Sequence, residues 1–254
     1  MVIERLHIAQ WGVYANASVA SPIRRSSTGD TAAGVVDAIT TLVLERTPGA
    51  GATSTVEAGV PTPPATNAHS SSYSYSYTLE SEVLDSSGKV VATATPATGV
   101  VGPAGMRHDV HQPISLAEVQ LWSVASPTLF TLRTTLRTTA AAPEGRPRGN
   151  NEGEEGAAKG VGVKEEVLHT RFGFRDARFH PDKGFFLNGR PLKIKSTANH
   201  QGFAGVGVAV PDALQRFRVA RLKAMGSNAW RTAHNPPNVA LLDECDAQGM
   251  LVWD

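Results

Sequence analysis

A chain of 254 residues, 41% of them apolar, with a net charge of +1, is long enough for one large domain or two ordinary ones and has the composition of a globular core. So small a charge supplies no field that would select nucleic acid or an anionic membrane surface, and no run of about 18 apolar residues exists to span a bilayer. The lone Cys245 excludes an internal disulfide and a thiolate metal site.

Residues 1–10 carry Glu4, Arg5 and His7 among apolar neighbours, a strand-like mixture rather than the basic-then-apolar pattern of a signal peptide. Residues 6–14 and 35–44 are rich in β-formers. Tyr73, Tyr75, Tyr77 and Leu79 then alternate with Ser74, Ser76 and Thr78, which puts one set on a buried face and the other in water. Ser86-Ser87-Gly88 predicts a turn, with 89–95 returning as a hairpin partner. Residues 116–122, 129–138 and 163–174 supply further strands. Seven or so short strands without a helix predict an immunoglobulin-like sandwich over 1–175. Three stretches, 21–34, 48–72 and 140–162, are rich in Gly, Pro, Ala and Thr. They read as surface insertions with too little apolar surface to order themselves.

From 176 to 254 the pattern changes. Asn188-Gly189, between Phe186-Leu187 and Arg190-Pro191-Leu192, is a hairpin turn whose two central positions need positive φ. Residues 192–197 continue as a strand. Pro211 and Asp212 open a helix, with Ala213, Phe217, Ala220, Ala224 and Met225 on its apolar face and Gly226 ending it. Residues 228–232 are short and strand-like. A second helix over 238–248 carries Leu241, Leu242 and Cys245 at helical spacing and closes at Gly249. Residues 250–253 form a last, fully apolar strand. The alternation β-α-β-α-β with short connections is the grammar of a parallel sheet or barrel.

In such folds chemistry sits at the carboxyl ends of the strands. The first predicted strand is followed by Asn199, His200 and Gln201. The second ends in Arg231 and leads to His234, and the third reaches Asp254. Two imidazoles and a guanidinium on one rim can hydrogen-bond several hydroxyls of a polar ligand, and Pro236 and Pro237 stiffen the loop that holds His234. Taken singly, each His reads more naturally as a structural hydrogen-bonder, and Arg231 could simply pair with Asp254. No second acid or His stands at metal-ligand spacing, so neither metal nor cofactor is expected.

The run Asn228-Ala229-Trp230-Arg231-Thr232-Ala233-His234-Asn235-Pro236-Pro237, with Leu241, Leu242, Asp243, Cys245, Asp246 and Gly249-Met250-Leu251-Val252-Trp253-Asp254, closely resembles the first signature of the family 2 glycoside hydrolases, the β-galactosidase and β-glucuronidase family. Phe186-Leu187-Asn188-Gly189-Arg190-Pro191-Leu192-Lys193 followed by Asn199-His200-Gln201 looks like the start of that family's barrel. Gln120-Leu121-Trp122-Ser123, Pro127-Thr128-Leu129-Phe130 and Gly173-Phe174-Arg175 resemble the end of its sandwich domain. Ser196, Ala233 and Gly202 depart from the family, whose members usually have Gly, Ser and often Asp there.

The resemblance implies a sandwich followed by an incomplete TIM (β/α)8 barrel of about three strands, and a carbohydrate substrate bound in a pocket on the barrel's carboxyl-end face. It implies that His200 and His234 touch sugar hydroxyls, with Asn199 beside them. Arg231 would orient a carboxylate or the pocket wall, and Asp254 would open the family's strand-ending Asp-Glu pair. Hydrolysis would be a retaining double displacement by two Glu residues on later strands, so no catalytic residue is assigned within the chain, which is expected to be inactive by itself. The expected activity is cleavage of terminal β-glycosides, galactosides first. The alternative is a non-catalytic remnant or sugar-binding module, with unpaired strand edges that need a partner. The resemblance is compatible with a homo-oligomeric full-length parent.

Overall fold

A computed structural model describes residues 2–20, 22–48, 75–101, 107–140 and 163–253. The predicted insertions at 48–72 and 140–162 fall almost wholly outside these residues, as does Asp254. Among the described residues eight strands come first: β1 (Val2–Val19), β2 (Thr31–Pro48), β3 (Tyr75–Leu84), β4 (Val90–Thr93), β5 (Ala97–Val101), β6 (Arg107–Gln120), β7 (Phe130–Ala140) and β8 (Lys164–Phe172). They form two antiparallel sheets, one ordered β1-β2-β6 and the other β4-β3-β7-β8, with β5 also paired to β3. This is the immunoglobulin-like sandwich expected from the alternation.

Along these strands every second residue points between the sheets. Val36, Ala38 and Leu42 of β2, Leu79 and Val83 of β3, Ile114 of β6 and Leu132 and Leu136 of β7 are all buried there. One end of the core is aromatic: Phe174 meets Phe130 and Phe172 edge-on, with centroids 5.3 and 5.4 Å away, an arrangement favoured by the ring quadrupoles. The buried Gln112 keeps its amide satisfied. It accepts from Ser81 Oγ (2.8 Å) and donates to the carbonyls of Leu79 (3.2 Å) and Thr95 (2.9 Å), as a polar group in a core must.

Two expectations need correction. The stretch 21–34 is not all connection, because β2 begins at Thr31. β6 begins at Arg107 rather than at 116 and runs through Pro113. Proline is tolerated there because, among the described residues, β6 pairs within its sheet with β2 alone and lies at the sheet's edge.

A small meander follows, built from β9 (Ala177–His180), β10 (Gly184–Leu187) and β11 (Arg190–Pro191). Its last turn holds Asn188 at φ 52 and Gly189 at φ 69, the left-handed pair predicted from Asn-Gly. Then come β12 (Ser196–His200), α1 (Asp212–Ala224), β13 (Ala229–Ala233), α2 (Val239–Gln248) and β14 (Leu251–Trp253). The three strands are parallel, in the order β12-β13-β14.

β12 starts at Ser196, not 192, because the side chain of Asn228 takes the place of a strand partner before it. Its Oδ1 accepts from Lys195 N (2.7 Å) and its Nδ2 donates to Lys193 O (2.9 Å). The face of α1 also differs from expectation. Gln215 and Val219 are buried with Leu222 beside them, whereas Phe217 and Met225 are 47% and 74% exposed. The Arg221 guanidinium covers the Phe217 ring from outside, at 5.1 Å.

Both helices pack on the same side of the sheet, around Val219, Trp230, Leu241, Cys245 and Met250. α2 is capped by the Asn238 side chain, which accepts from Ala240 N, and it ends at Gly249 with φ 73. The buried Cys245 has its thiol pushed up to about 12 by burial, with Asp246 and Glu244 adding to it. In the unfolded chain the thiol ionises near the usual value of about 8.5. The unfolded state therefore loses this proton first, and stability falls as pH rises from about 8.5 toward 12. The thiol is expected to lower the unfolding free energy by up to about 1.4 kcal/mol per pH unit over that window, and Cys245→Ala removes that share of the slope measured by urea unfolding.

The sandwich and the strand–helix segment are joined through the loop after β6. Trp122 is buried with Leu187, Ala229 and Leu251, and its Nε1 donates to Asp246 O at 2.8 Å. Lys223 Nζ donates both to Val124 O (2.7 Å) and to Gly249 O (2.9 Å). Arg171 pairs with Asp243 at 2.7 Å, and Asp30 accepts from both Arg25 (2.6 Å) and Arg190 (2.9 Å).

Candidate active-site rim

Register decides which side chains share a face. In the parallel sheet Ser196, Ala198 and His200 pair with Ala229, Arg231 and Ala233, and Ala229 and Arg231 pair in turn with Leu251 and Trp253. Paired residues of neighbouring strands point the same way. Trp230 lies in the helix-facing core, so the set containing His200 and Arg231 faces away from the helices, into what would be the interior of a barrel. His234 follows the end of β13, and its ring lies 5.5 Å from that of His200, nearly perpendicular to it. His200, Arg231 and His234 are all exposed. Arg231 forms no ion pair with any described carboxylate. With Arg175 it lines an apolar recess formed by Phe179, Phe185, Ile194 and Trp253.

Of the residues singled out from sequence, the structure sets the His200 and His234 rings side by side and places Arg231 on the same face of the sheet as His200. Asn199 is not with them. It pairs with Thr232 on the helix-facing side, and its Nδ2 donates back to Thr197 O at 2.7 Å. Asn199 and His200 lie within β12, as its last two residues, rather than after it. Asp254 falls outside the described residues. Among the described residues no group of three His, Cys, Asp or Glu side chains could hold a metal ion.

One residue at the back of this rim has no signal in the sequence. Arg218, on α1, donates from Nη2 to the main-chain carbonyl of His200 at 2.6 Å. Its guanidinium stacks on Trp230 at 4.9 Å and on Phe203 at 6.0 Å, and burial lowers its pKa below the usual arginine value. Arg218 is not among the apolar residues from which the face of α1 is predicted, and its role shows only in the contacts it makes.

Two sequence models of one family match the chain. That of the glycosyl hydrolases family 2 covers residues 38–142, and that of the family's TIM barrel domain covers 181–254. The chain belongs to glycosyl hydrolase family 2. Its relatives include a β-galactosidase of Thermoanaerobacter pseudethanolicus, 43% identical over 96 residues, which are 36% of this chain and 13% of the relative. A β-galactosidase of Bacteroides ovatus is 31% identical over 180 residues, 70% of this chain and 18% of the relative. A β-glucuronidase of Bacteroides fragilis is 40% identical over 92 residues, 36% of this chain and 13% of the relative. Among solved structures, a family 2 member from Bacteroides cellulosilyticus superposes with a TM-score of 0.63 at 22% identity, over 97% of this chain and 24% of that one. The Parabacteroides merdae β-glucuronidase gives 0.61 at 22% identity, over 98% and 23%. These two likenesses carry the fold: a sandwich followed by the first strands and helices of a TIM barrel. The chain spans only 13–18% of the length of the curated family 2 relatives it matches.

Proposed function

We propose that this family 2 protein cleaves terminal β-glycosides with retention, β-galactosides before β-glucuronides, and that the chain supplies one wall of the sugar pocket. On this reading the sandwich ends and the barrel begins near residue 175. The observation that carries the proposal is the contact between the His200 and His234 rings, 5.5 Å apart, at the carboxyl ends of neighbouring parallel strands, with Arg231 on the same face. A neutral imidazole offers one donor and one acceptor, so the pair can meet neighbouring hydroxyls of one sugar ring. Arg231, with no described carboxylate to pair with, is the cation that would orient a carboxylate of the reaction centre. The preference for galactosides is supported by the β-galactosidase relative at 43% identity, set against 40% for the β-glucuronidase.

Retaining hydrolysis needs two carboxylates about 5 Å apart. Glu244 is the one Glu in residues 176–254. It lies on α2, accepting from Gln248 at 2.5 Å, in the helix layer and away from the rim. The proposal therefore assigns both carboxylates to strands other than β12, β13 and β14. The same observation favours a second reading, sugar binding without turnover.

Both readings are tested by titrating residues 1–254 with galactose and with glucuronate, and by assaying chromogenic β-galactoside and β-glucuronide with this chain and with any longer product of the gene. We expect galactose to bind more tightly, and His234→Ala to weaken it about tenfold, as loss of one or two hydrogen bonds does. Faster turnover of the glucuronide would overturn the substrate assignment. Binding without turnover in every form would favour the second reading, and an unaffected His234→Ala variant would remove the imidazole pair from the site.

A further inference from the structure

We infer that Arg218 is a positioning residue for the rim, fixing His200 from the opposite side of the sheet. As a statement about sugar recognition this rests on the function proposed above; as a statement about the imidazole pair it does not. His200 is the last residue of β12 and, among the described residues, pairs across the ladder with Ala233 alone. Among the described residues β12 has a neighbour on one side alone. A strand end paired on one side is free to fray, and displacement there moves an imidazole whose use depends on its distance from His234.

Arg218 opposes that displacement in three ways. Its guanidinium donates to the His200 carbonyl at 2.6 Å, a charge-assisted bond stronger than a neutral one. It stacks on Trp230 at 4.9 Å, and Trp230 is buried and immediately precedes Arg231 on β13. It also meets Phe203 at 6.0 Å, in the loop that leaves His200. One planar cation thus ties together the strand carrying His200, the strand leading to Arg231 and His234, and the loop between β12 and α1. Its other described contact is with Gln215 Oε1 at 3.3 Å, and no described carboxylate competes for it. Lysine could keep the charge and reach the carbonyl, but it lacks the flat face that stacks on both rings.

The test uses the full 254-residue chain with isotope-labelled histidine, comparing wild type with Arg218→Lys and Arg218→Met by NMR. We expect the cross-peak between the His200 and His234 rings to weaken in Arg218→Lys and to vanish in Arg218→Met. The His200 signals should shift while those of His111, on the sandwich, stay in place. Affinity for galactose should fall about tenfold in Arg218→Met and less in Arg218→Lys. If Arg218→Met fails to fold, Arg218→Lys decides alone. Unchanged His200 signals and an undiminished cross-peak in a folded variant overturn the inference. Loss of the cross-peak in a chain whose wild type binds no sugar upholds the positioning role and sinks the proposed sugar site instead.

Discussion

Trp122→Ala is expected to destabilise the chain by about 4 kcal/mol, within the range of large aromatic truncations in cores, and to split its unfolding into two transitions. The indole is 2% exposed and lies where the sandwich meets the strand–helix segment, against Leu187, Ala229 and Leu251. Three hydrogen bonds converge on the same residue. Its Nε1 donates to Asp246 O at 2.8 Å, its main-chain N donates to Phe174 O at 2.7 Å, and its carbonyl accepts from Asn188 Nδ2 at 3.1 Å. The Arg175 guanidinium covers the ring at 5.3 Å. Truncation empties the junction and leaves Asp246 O without its donor, so the two cores lose their main common contact and should melt separately. Trp122→Phe keeps most of the apolar area and loses the N–H, so it should cost about 1 kcal/mol for the missing bond, plus whatever volume is not refilled. Urea unfolding followed by circular dichroism and by tryptophan fluorescence measures both effects. Coincident, barely shifted curves for Trp122→Ala would show that the two units are not coupled through this residue.

Gly249→Ala should approach the same size through a different cause. Gly249 ends α2 at φ 73, where a Cβ would lie 2.5 Å from Val124 O and 3.1 Å from Ser123 O. The left-handed conformation costs a non-glycine residue about 1 kcal/mol, and forcing two backbone carbonyls aside adds about 1–3 kcal/mol. Those carbonyls belong to the loop that carries Trp122, and Val124 O is also held by Lys223, so the loop cannot retreat without breaking the junction. Gly226 is the internal control. It too has positive φ, 91, but a Cβ there meets nothing within 4 Å. Gly226→Ala should therefore show the conformational cost alone, about 1 kcal/mol. Equal losses for the two variants would mean that the close approach of Val124 O is of no energetic consequence.

The sandwich was legible wherever burial imposed a period of two. The Tyr77 and Leu79 alternation predicts β3 and its buried face, and the strands facing it follow the same rule. β5 escaped notice because five residues after Pro96, with Gly99 among them, carry no such alternation. The early part of β6 escaped because Pro113 reads as a strand breaker unless the strand is known to be an edge. In the second half, Pro211 and Asp212 at the start of α1 and Gly249 at the end of α2 announced the helices. The face of α1 did not follow from its apolar residues. It carries two partial apolar stripes, and the one that docks includes Gln215 and Arg218, whose polar ends are satisfied only in three dimensions. The same limit applies at the rim. His200, Arg231 and His234 could be set on one edge by strand grammar, whereas the side of the sheet taken by Asn199 depends on a register that begins at Ser196. That starting point is fixed by the side chain of Asn228, which lies more than thirty residues further along the chain.

The turn at Asn188 bears on how this chain ages. Asn-Gly is the dipeptide most prone to cyclise to a succinimide and lose its amide nitrogen, through attack of the glycine nitrogen on the side-chain carbonyl. Here that side chain is buried and held at both ends: Oδ1 accepts from Asp176 N at 3.0 Å while Nδ2 donates to Trp122 O at 3.1 Å. The attack geometry is thus closed off for as long as the junction is made. Conversion to aspartate would remove the donor and bring a carboxylate against the carbonyl of Trp122, so each damaged molecule would be less able to re-form the contact that had shielded it. The shelf life of the sequence is therefore set by the time it spends unfolded.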